Sequence, residues 1–359
     1  MPFQVDQRDA RGRIVVEGDV QGVGRAFDDD DALVFMANDL GERIAPAALP
    51  ARDHAMEVEV SDAATGARGF AYLVHAPDAA APERPPNATY DRARYRVDAA
   101  AYSVRYPPGR NFLTDLATTG PGGSLAHLLV SRMSLRIAPT FAMLVTSWSP
   151  QLTEESFTTV IEGVRNGPVR SIVRARQSLE LGALLPDAPA GDVLTYYYPN
   201  AIVTPSTFKV PAVVLRLLRA FEFEGKAILD ASAAGSRYVD AAHPDGLALA
   251  TAPQGTVNAA DPEWFVIDGP GGTYLHAFDI PDAWRRWGIT RASVLGQADG
   301  RLAAGYSLRD MTRMQEAGAY DLRVAMVVLG RPYRPGDERA ALAMLDQPLA
   351  VEVRPVATP

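Results

Sequence analysis

The chain has 359 residues, 47% of them hydrophobic and 22% charged, with a formal net charge of -8 and no cysteine. This supplies enough apolar material for a large core, while the acidic balance excludes a general nucleic-acid surface, which needs clustered cationic side chains. Without cysteine there are no disulfides, thiolate metal sites or cysteine nucleophile, and no apolar run approaches the ~20 residues that span a bilayer as a helix.

The start, Met1-Pro2-Phe3-Gln4-Val5-Asp6, lacks the charged and apolar regions of a signal peptide and reads as a strand entered midway. A cysteine-free chain of this size suits an exported bacterial protein better than a cytosolic one. The expectation is a periplasmic or extracellular protein whose signal is not in this chain, with a cytoplasmic location as the alternative.

The first distinctive element is the acidic run Phe27-Asp28-Asp29-Asp30-Asp31-Ala32-Leu33-Val34-Phe35. Four adjacent carboxylates repel one another, so they are either solvated at a turn or neutralised by a cation. Read back to Asp19, the stretch loosely echoes a calcium loop, with Gly24 and Asp31 near the glycine and acidic positions, but valines fall where oxygen ligands belong. Two readings stay open: an acidic turn leading into a strand, or a calcium site held by Asp28 and Asp31 with Asp19.

Beyond it, short apolar runs alternate with Gly, Pro, Asn and Asp at strand spacing. Strands are expected at 69–75, 126–137, 140–148, 157–164, 169–175, 193–198, 212–223, 264–267, 273–278, 292–295 and 322–329, with an edge strand at 349–353. Turns are expected at Asn166-Gly167-Pro168, at Glu224-Gly225-Lys226 and at Asp268-Gly269-Pro270-Gly271-Gly272. Proline entry and glycine exit mark a short helix over 281–288, and 308–317 and 339–345 are helix-permissive. The proline-rich segment 76–86 reads as a loop or a join between lobes meeting near 76–90, within one domain that covers 1–359. Alternating strand and helix units are missing, which leaves an all-β fold, a large antiparallel β-sandwich with few short helices.

Histidine is scarce, at five. His127 and His276 sit in apolar strand-like runs, His54 and His75 flank another strand region, and His243 is in a turn. No pair has the spacing of a helical zinc motif. A strand histidine is either a packed structural side chain or a proton carrier. Glu162, Arg165 and Arg170 flank the turn at Asn166 and form either an exposed ion pair or a grip on a hydroxyl-rich or anionic ligand. Tyr196-Tyr197-Tyr198, Trp264, Trp284 and Trp287 are aromatics for a core or for stacking on a sugar ring. There is no Gly-x-Ser-x-Gly elbow, P-loop or dinucleotide fingerprint.

Phe3-Gln4-Val5-Asp6, the run from Asp28 to Phe35, the stretch from Glu162 to Arg170, Trp264-Phe265-Val266-Ile267-Asp268-Gly269-Pro270-Gly271-Gly272 and Gly318-Ala319-Tyr320-Asp321-Leu322 together resemble the strand-and-turn texture of galactose-mutarotase-like supersandwich domains. Such domains occur in bacterial carbohydrate epimerases, polysaccharide lyases and glycosidase accessory modules, and use His, Arg, Tyr and carboxylates on a concave sheet. The resemblance implies a sandwich that binds or processes carbohydrate. In an enzyme of this kind His276 or His127 would move a proton, Glu162 would be its carboxylate partner, Arg170 would hold substrate, and Tyr197 or Trp264 would line the sheet. The alternative is a non-catalytic exported structural, surface or assembly protein, marked by scattered histidines and exposed sheet edges.

Overall fold

The computed structural model describes residues 3–9, 12–16, 29, 31–45, 55–63, 65–74, 85–119, 125–142, 146–179, 191–346 and 349–356. Almost all regular structure is antiparallel β. An eleven-stranded sheet and a nine-stranded sheet are accompanied by a three-stranded sheet and a two-stranded ribbon. The all-β expectation holds.

The nine-stranded sheet starts with the hairpin Phe157–Asn166 and Ser171–Leu179, turned where Asn166-Gly167-Pro168 predicts. It continues through Gly191–Tyr197 and Ala201–Val210 to a central strand, Gly318–Leu329, which pairs with Gly272–Asp279 on its other side. Gly272–Asp279 is buried at every position. Successive strand residues point to opposite faces, so each face of this strand has its own cover. Tyr274 and Phe278 enter the large cluster shared with the eleven-stranded sheet. Leu275 and Ala277 face the other way, into a smaller cluster that includes Ala341 and Leu345 of the helix Asp337–Asp346.

Hydrogen bonds stitch the two large sheets together. Asn166 accepts from the Tyr90 N–H at 2.9 Å and donates to the Tyr90 carbonyl at 3.2 Å, and the Ser171 hydroxyl donates to the Ala88 carbonyl at 2.6 Å. Tyr90 and Ala88 belong to the last strand of the eleven-stranded sheet, Ala88–Asp91. At another point Arg291, only 1% exposed, is held by Asp261, whose carboxylate accepts from Nε at 2.8 Å and from a terminal guanidinium nitrogen at 3.1 Å. This pairing supplies the counter-charge that a buried guanidinium requires.

Two local expectations fail for physical reasons. Residues 212–223 form a helix, Ala212–Leu217, before the strand Leu218–Leu229 begins; Pro211 at the helix entry has the fixed φ that suits that position. Glu224-Gly225-Lys226 is no turn, because that strand runs straight through it. Close backbone approach is demanded of the neighbouring strand's glycine: a Cβ on Gly305 would lie 1.9 Å from the Gly225 carbonyl oxygen and 2.7 Å from the Lys226 Cα, whereas one on Gly225 would meet only the Phe223 ring at 3.9 Å. The helix expected at 308–317 reduces to a 3-10 turn at Met311–Arg313. The helix Asp282–Arg286 forms within 281–288, and the helix Asp337–Asp346 spans 339–345 and extends past it at both ends.

Gly305→Ala therefore has to separate the strands Leu218–Leu229 and Arg301–Arg309, and a loss of about 3 kcal/mol is expected, as for other overpacked sites. Gly318→Ala, whose Cβ meets nothing within 4 Å, is the control; urea denaturation of both variants checks the difference.

Candidate functional site

A cavity of about 210 Å³ lies between the two large sheets. On the nine-stranded side the inward positions of successive strands supply Gln177, Thr195, Thr204, Ser206 and His276 among Val193, Val324, Met326 and Phe278. The other side supplies Tyr106, Leu113, Met133, Leu135, Phe223 and Tyr306, with Asn111 and Phe112 from the preceding loop. Among the described residues no Asp, Glu, Lys or Arg is in the lining. Thr204 and Thr195 are in hydrogen-bond contact at 3.5 Å.

His276 sits in an aromatic setting. Its ring is 5.2 Å from Phe265 and 5.5 Å from Tyr306, edge-on to the latter. Nδ1 is 2.8 Å from the Tyr274 hydroxyl, and the Tyr306 hydroxyl donates to the His276 carbonyl at 3.1 Å. Burial disfavours the charged imidazolium and pushes its pKa down to about 3. Burial raises the Tyr274 and Tyr306 phenols, which stay protonated. At neutral pH this histidine is an uncharged hydrogen-bonding group rather than a proton carrier. Tyr197 lies one layer behind the cavity wall: it is buried, and its hydroxyl donates to that of Tyr106 at 3.0 Å.

The other candidates lie elsewhere. Arg170 and Glu162 are on the opposite face of the nine-stranded sheet from His276, so a sheet separates them. Arg170 donates through Nε to Asp6 at 3.2 Å and from Nη1 to the Tyr198 hydroxyl at 2.6 Å, and its guanidinium stacks over Tyr196 at 4.2 Å. Gln4 accepts from the Val169 and Arg170 N–H groups, and Arg165 and Arg174 donate to the Val5 and Ile14 carbonyls. Arg170 thus fastens the N-terminal segment to the sheet. Glu162 pairs with Arg174 at 3.3 Å and Arg176 at 2.8 Å. Trp264 is half-buried beside Tyr333 in the cluster under the helix Asp337–Asp346. His127 is exposed, with its Cβ close to Gly271 of the hairpin between Trp264–Gly269 and Gly272–Asp279.

Of the acidic run, Asp19 and Asp28 fall outside the described residues, as do His54 and His75. Asp31 accepts from the Arg8 N–H at 2.9 Å and leads into Ala32–Val34, which pairs with Gln4–Asp6. Among the described residues no three His, Asp or Glu side chains converge as a metal site. Sequence reasoning missed Gln177, Thr195, Thr204 and Ser206. Their signal was small polar side chains at alternate positions of otherwise apolar strands.

No protein-family model matches the chain, and no curated protein matches it. Solved structures similar to it include an alpha-mannosidase from Enterococcus faecalis V583, at 11% identity and TM-score 0.46 over 81% of this chain and 34% of that one. The alpha-N-acetylgalactosaminidase NagBb from Bifidobacterium bifidum, solved with GalNAc, aligns at 11% identity and TM-score 0.35 over 62% of this chain and 34% of that one. The Slr1438 protein from Synechocystis sp. PCC 6803 aligns at 13% identity and TM-score 0.40 over 72% of this chain and 100% of that one. The chain spans about a third of the length of the two glycosidases. Similarity this shallow leaves their substrates with them.

The pKa of His276 gives a pH signature with a definite sign. Unfolded, the imidazole takes up a proton as pH falls through its ordinary 6.5; folded, it does so only near 3. Between these values the unfolded state binds more protons, so this group lowers stability as pH falls across that window and adds no further loss below it. In His276→Gln the fall in unfolding free energy from pH 6.5 to 3 is expected to be smaller than in the parent, by at most ~4 kcal/mol. Chemical denaturation across that range checks it, and parallel profiles would refute the assignment.

Proposed function

We propose that the chain is a binding protein for a small, uncharged, hydroxyl-bearing ring compound, a neutral monosaccharide being the sugar class that fits, and that the site is the cavity between the sheets. The observation that carries this reading is the character of the lining: neutral hydroxyl, amide and imidazole groups on one wall, aromatic and aliphatic surface around them, and no ionised side chain among the described residues. A charged ligand brought there would lose its hydration without a counter-charge. A neutral polyol would exchange water for Gln177, Thr195, Thr204, Ser206 and His276 while its C–H face meets Phe223, Phe278 and Tyr306. Ligand pockets commonly combine apolar walls with a few placed polar groups in this way.

The size supports a single ring. The volume of about 210 Å³ modestly exceeds the roughly 150 Å³ cavity known to hold benzene. Binding is the reading taken here over hydrolysis, because glycoside cleavage ordinarily uses a pair of carboxyl groups across the scissile bond and the described residues of the lining offer none.

Thermal shift against a panel of neutral monosaccharides and their uronic-acid and amino-sugar counterparts tests the proposal. A neutral sugar is expected to raise the melting temperature, with a stabilisation of about 2.7 kcal/mol at a hundredfold excess over Kd, while charged counterparts leave it unchanged. Thr204→Phe, which fills the cavity, should abolish the shift, and Gln177→Leu should weaken it in a protein that still melts cooperatively. No shift with any neutral sugar, or a shift that survives Thr204→Phe, overturns the reading.

A further inference from the structure

The three-stranded sheet is ordered Ala350–Pro355, Ala55–Ser61, Arg68–Val74, so among the described residues Ala350–Pro355 is hydrogen-bonded along one side only. Its pairing sets Val351 opposite Val60, Val353 opposite Val58 and Arg354 opposite Glu57. The Val356 N–H donates to the Ala55 carbonyl at 2.9 Å. By the alternation of an antiparallel ladder, residues 352 and 354 then turn their main-chain groups toward Ala55–Ser61, and Val351, Val353 and Pro355 turn theirs to the open edge.

The side chains agree with an unfinished sheet. Val58 and Val60 are buried with Ala71 under Phe35 and Leu40. On the same face Val351 is 60% exposed and Val353 50%. An open edge with apolar side chains is a template for another strand.

We infer that this edge pairs with the same strand of a second copy of the chain, antiparallel, about a two-fold axis through Val353. Val353 exchanges reciprocal N–H to carbonyl bonds with its counterpart, and each Val351 N–H reaches the Pro355 carbonyl opposite. Pro355, which lacks an N–H, accepts there but leaves the Val351 carbonyl opposite without its ladder donor, so each end of the junction is held by a single main-chain bond. This register sets Glu352 of each copy opposite Arg354 of the other. Centring on Glu352 or on Arg354 opposes like charges, which is unfavourable for residues directly across a ladder. The identity of the occupant rests on this self-complementarity: a two-fold matches the strand's own charges twice and joins the two three-stranded sheets through the closed, isologous contact typical of homodimers. Glu352 and Arg354 are paired within the strand, Nε to Oε1 at 2.7 Å, and on association they exchange that partner for the one across the axis.

Sedimentation equilibrium of the full chain over a wide concentration range tests this, with circular dichroism confirming the fold of each variant. The parent is expected to dimerise reversibly. Val353→Pro removes only an outward N–H and should yield a monomer. Glu352→Arg places like charges across the axis and should raise the dimer dissociation constant about tenfold, while Glu352→Arg with Arg354→Glu restores the complementarity and recovers most of the affinity. A parent that is monomeric throughout, a dimer indifferent to Val353→Pro, or a charge swap that fails to rescue overturns the inference.

Discussion

The rest of the structure depends on the burial of both faces of the nine-stranded sheet at the strand Gly272–Asp279. A strand in this position has no solvent side on which to place a polar residue. Its alternation sends Tyr274, His276 and Phe278 toward the eleven-stranded sheet, and Leu275 and Ala277 toward the helix Asp337–Asp346. Once the register with Gly318–Leu329 is fixed, a slip of one residue would exchange these sets. It would place an imidazole under the helix, in the cluster of Val266, Val327, Ala341 and Leu345, and away from Tyr274 and Tyr306. The same alternation makes His276 neutral, and so decides what kind of chemistry the cavity hosts.

The interior between the sheets is rich in tyrosine, and most of the phenols there have a partner. The Tyr102 hydroxyl donates to the Ala201 carbonyl at 3.1 Å, that of Tyr238 to Asp240 at 2.8 Å, and those of Tyr197, Tyr274 and Tyr306 meet Tyr106, His276 and the His276 carbonyl. Such pairing offsets the cost of taking a hydroxyl out of water. Asp240, fully buried, accepts from Tyr238, Asn258, the His243 ring and the Ala242 and His243 N–H groups, which gives the carboxylate the donors it needs without a lysine or arginine. The core is therefore a hydrogen-bonded network set in aromatic surface, more specific in geometry than an aliphatic core.

Local signals in the sequence described the architecture better than the site. The hairpin at Asn166 and the one at Gly269 to Gly272 were legible because turn residues interrupt apolar runs, and the closing strand near Leu349 because short alternating residues follow a helix. Glu224-Gly225-Lys226 misled because glycine also sits inside strands: a Cβ on Gly225 would meet only the Phe223 ring at 3.9 Å, and the close approach falls on its neighbour Gly305, which no local pattern points to. Arg170 reads from the sequence either as an ion-pair member or as a ligand grip, because its partner Asp6 is 164 positions away and no local pattern announces a pairing over that distance. His276 was singled out, but a continuous apolar run does not reveal which face each residue takes when both are buried.

The outward face of the same sheet shows how its charges are spent. Arg165, Arg170 and Arg174 all reach the N-terminal segment, two of them through main-chain carbonyls, while Ile14 and Val16 pack on Ile172, Leu194 and Tyr196. Arginine suits this work, since its planar fork can donate in several directions and stack on a tyrosine at once, as Arg170 does with Asp6, Tyr198 and Tyr196. The positive charge that sequence reading offered to a substrate is thus consumed in holding the chain's own start against the sheet. The cavity on the other side of the sheet is lined, among the described residues, by uncharged groups alone, so the two faces of one sheet divide the work: the outer holds the charges that fasten the chain's start, and the inner holds neutral hydrogen-bonding groups.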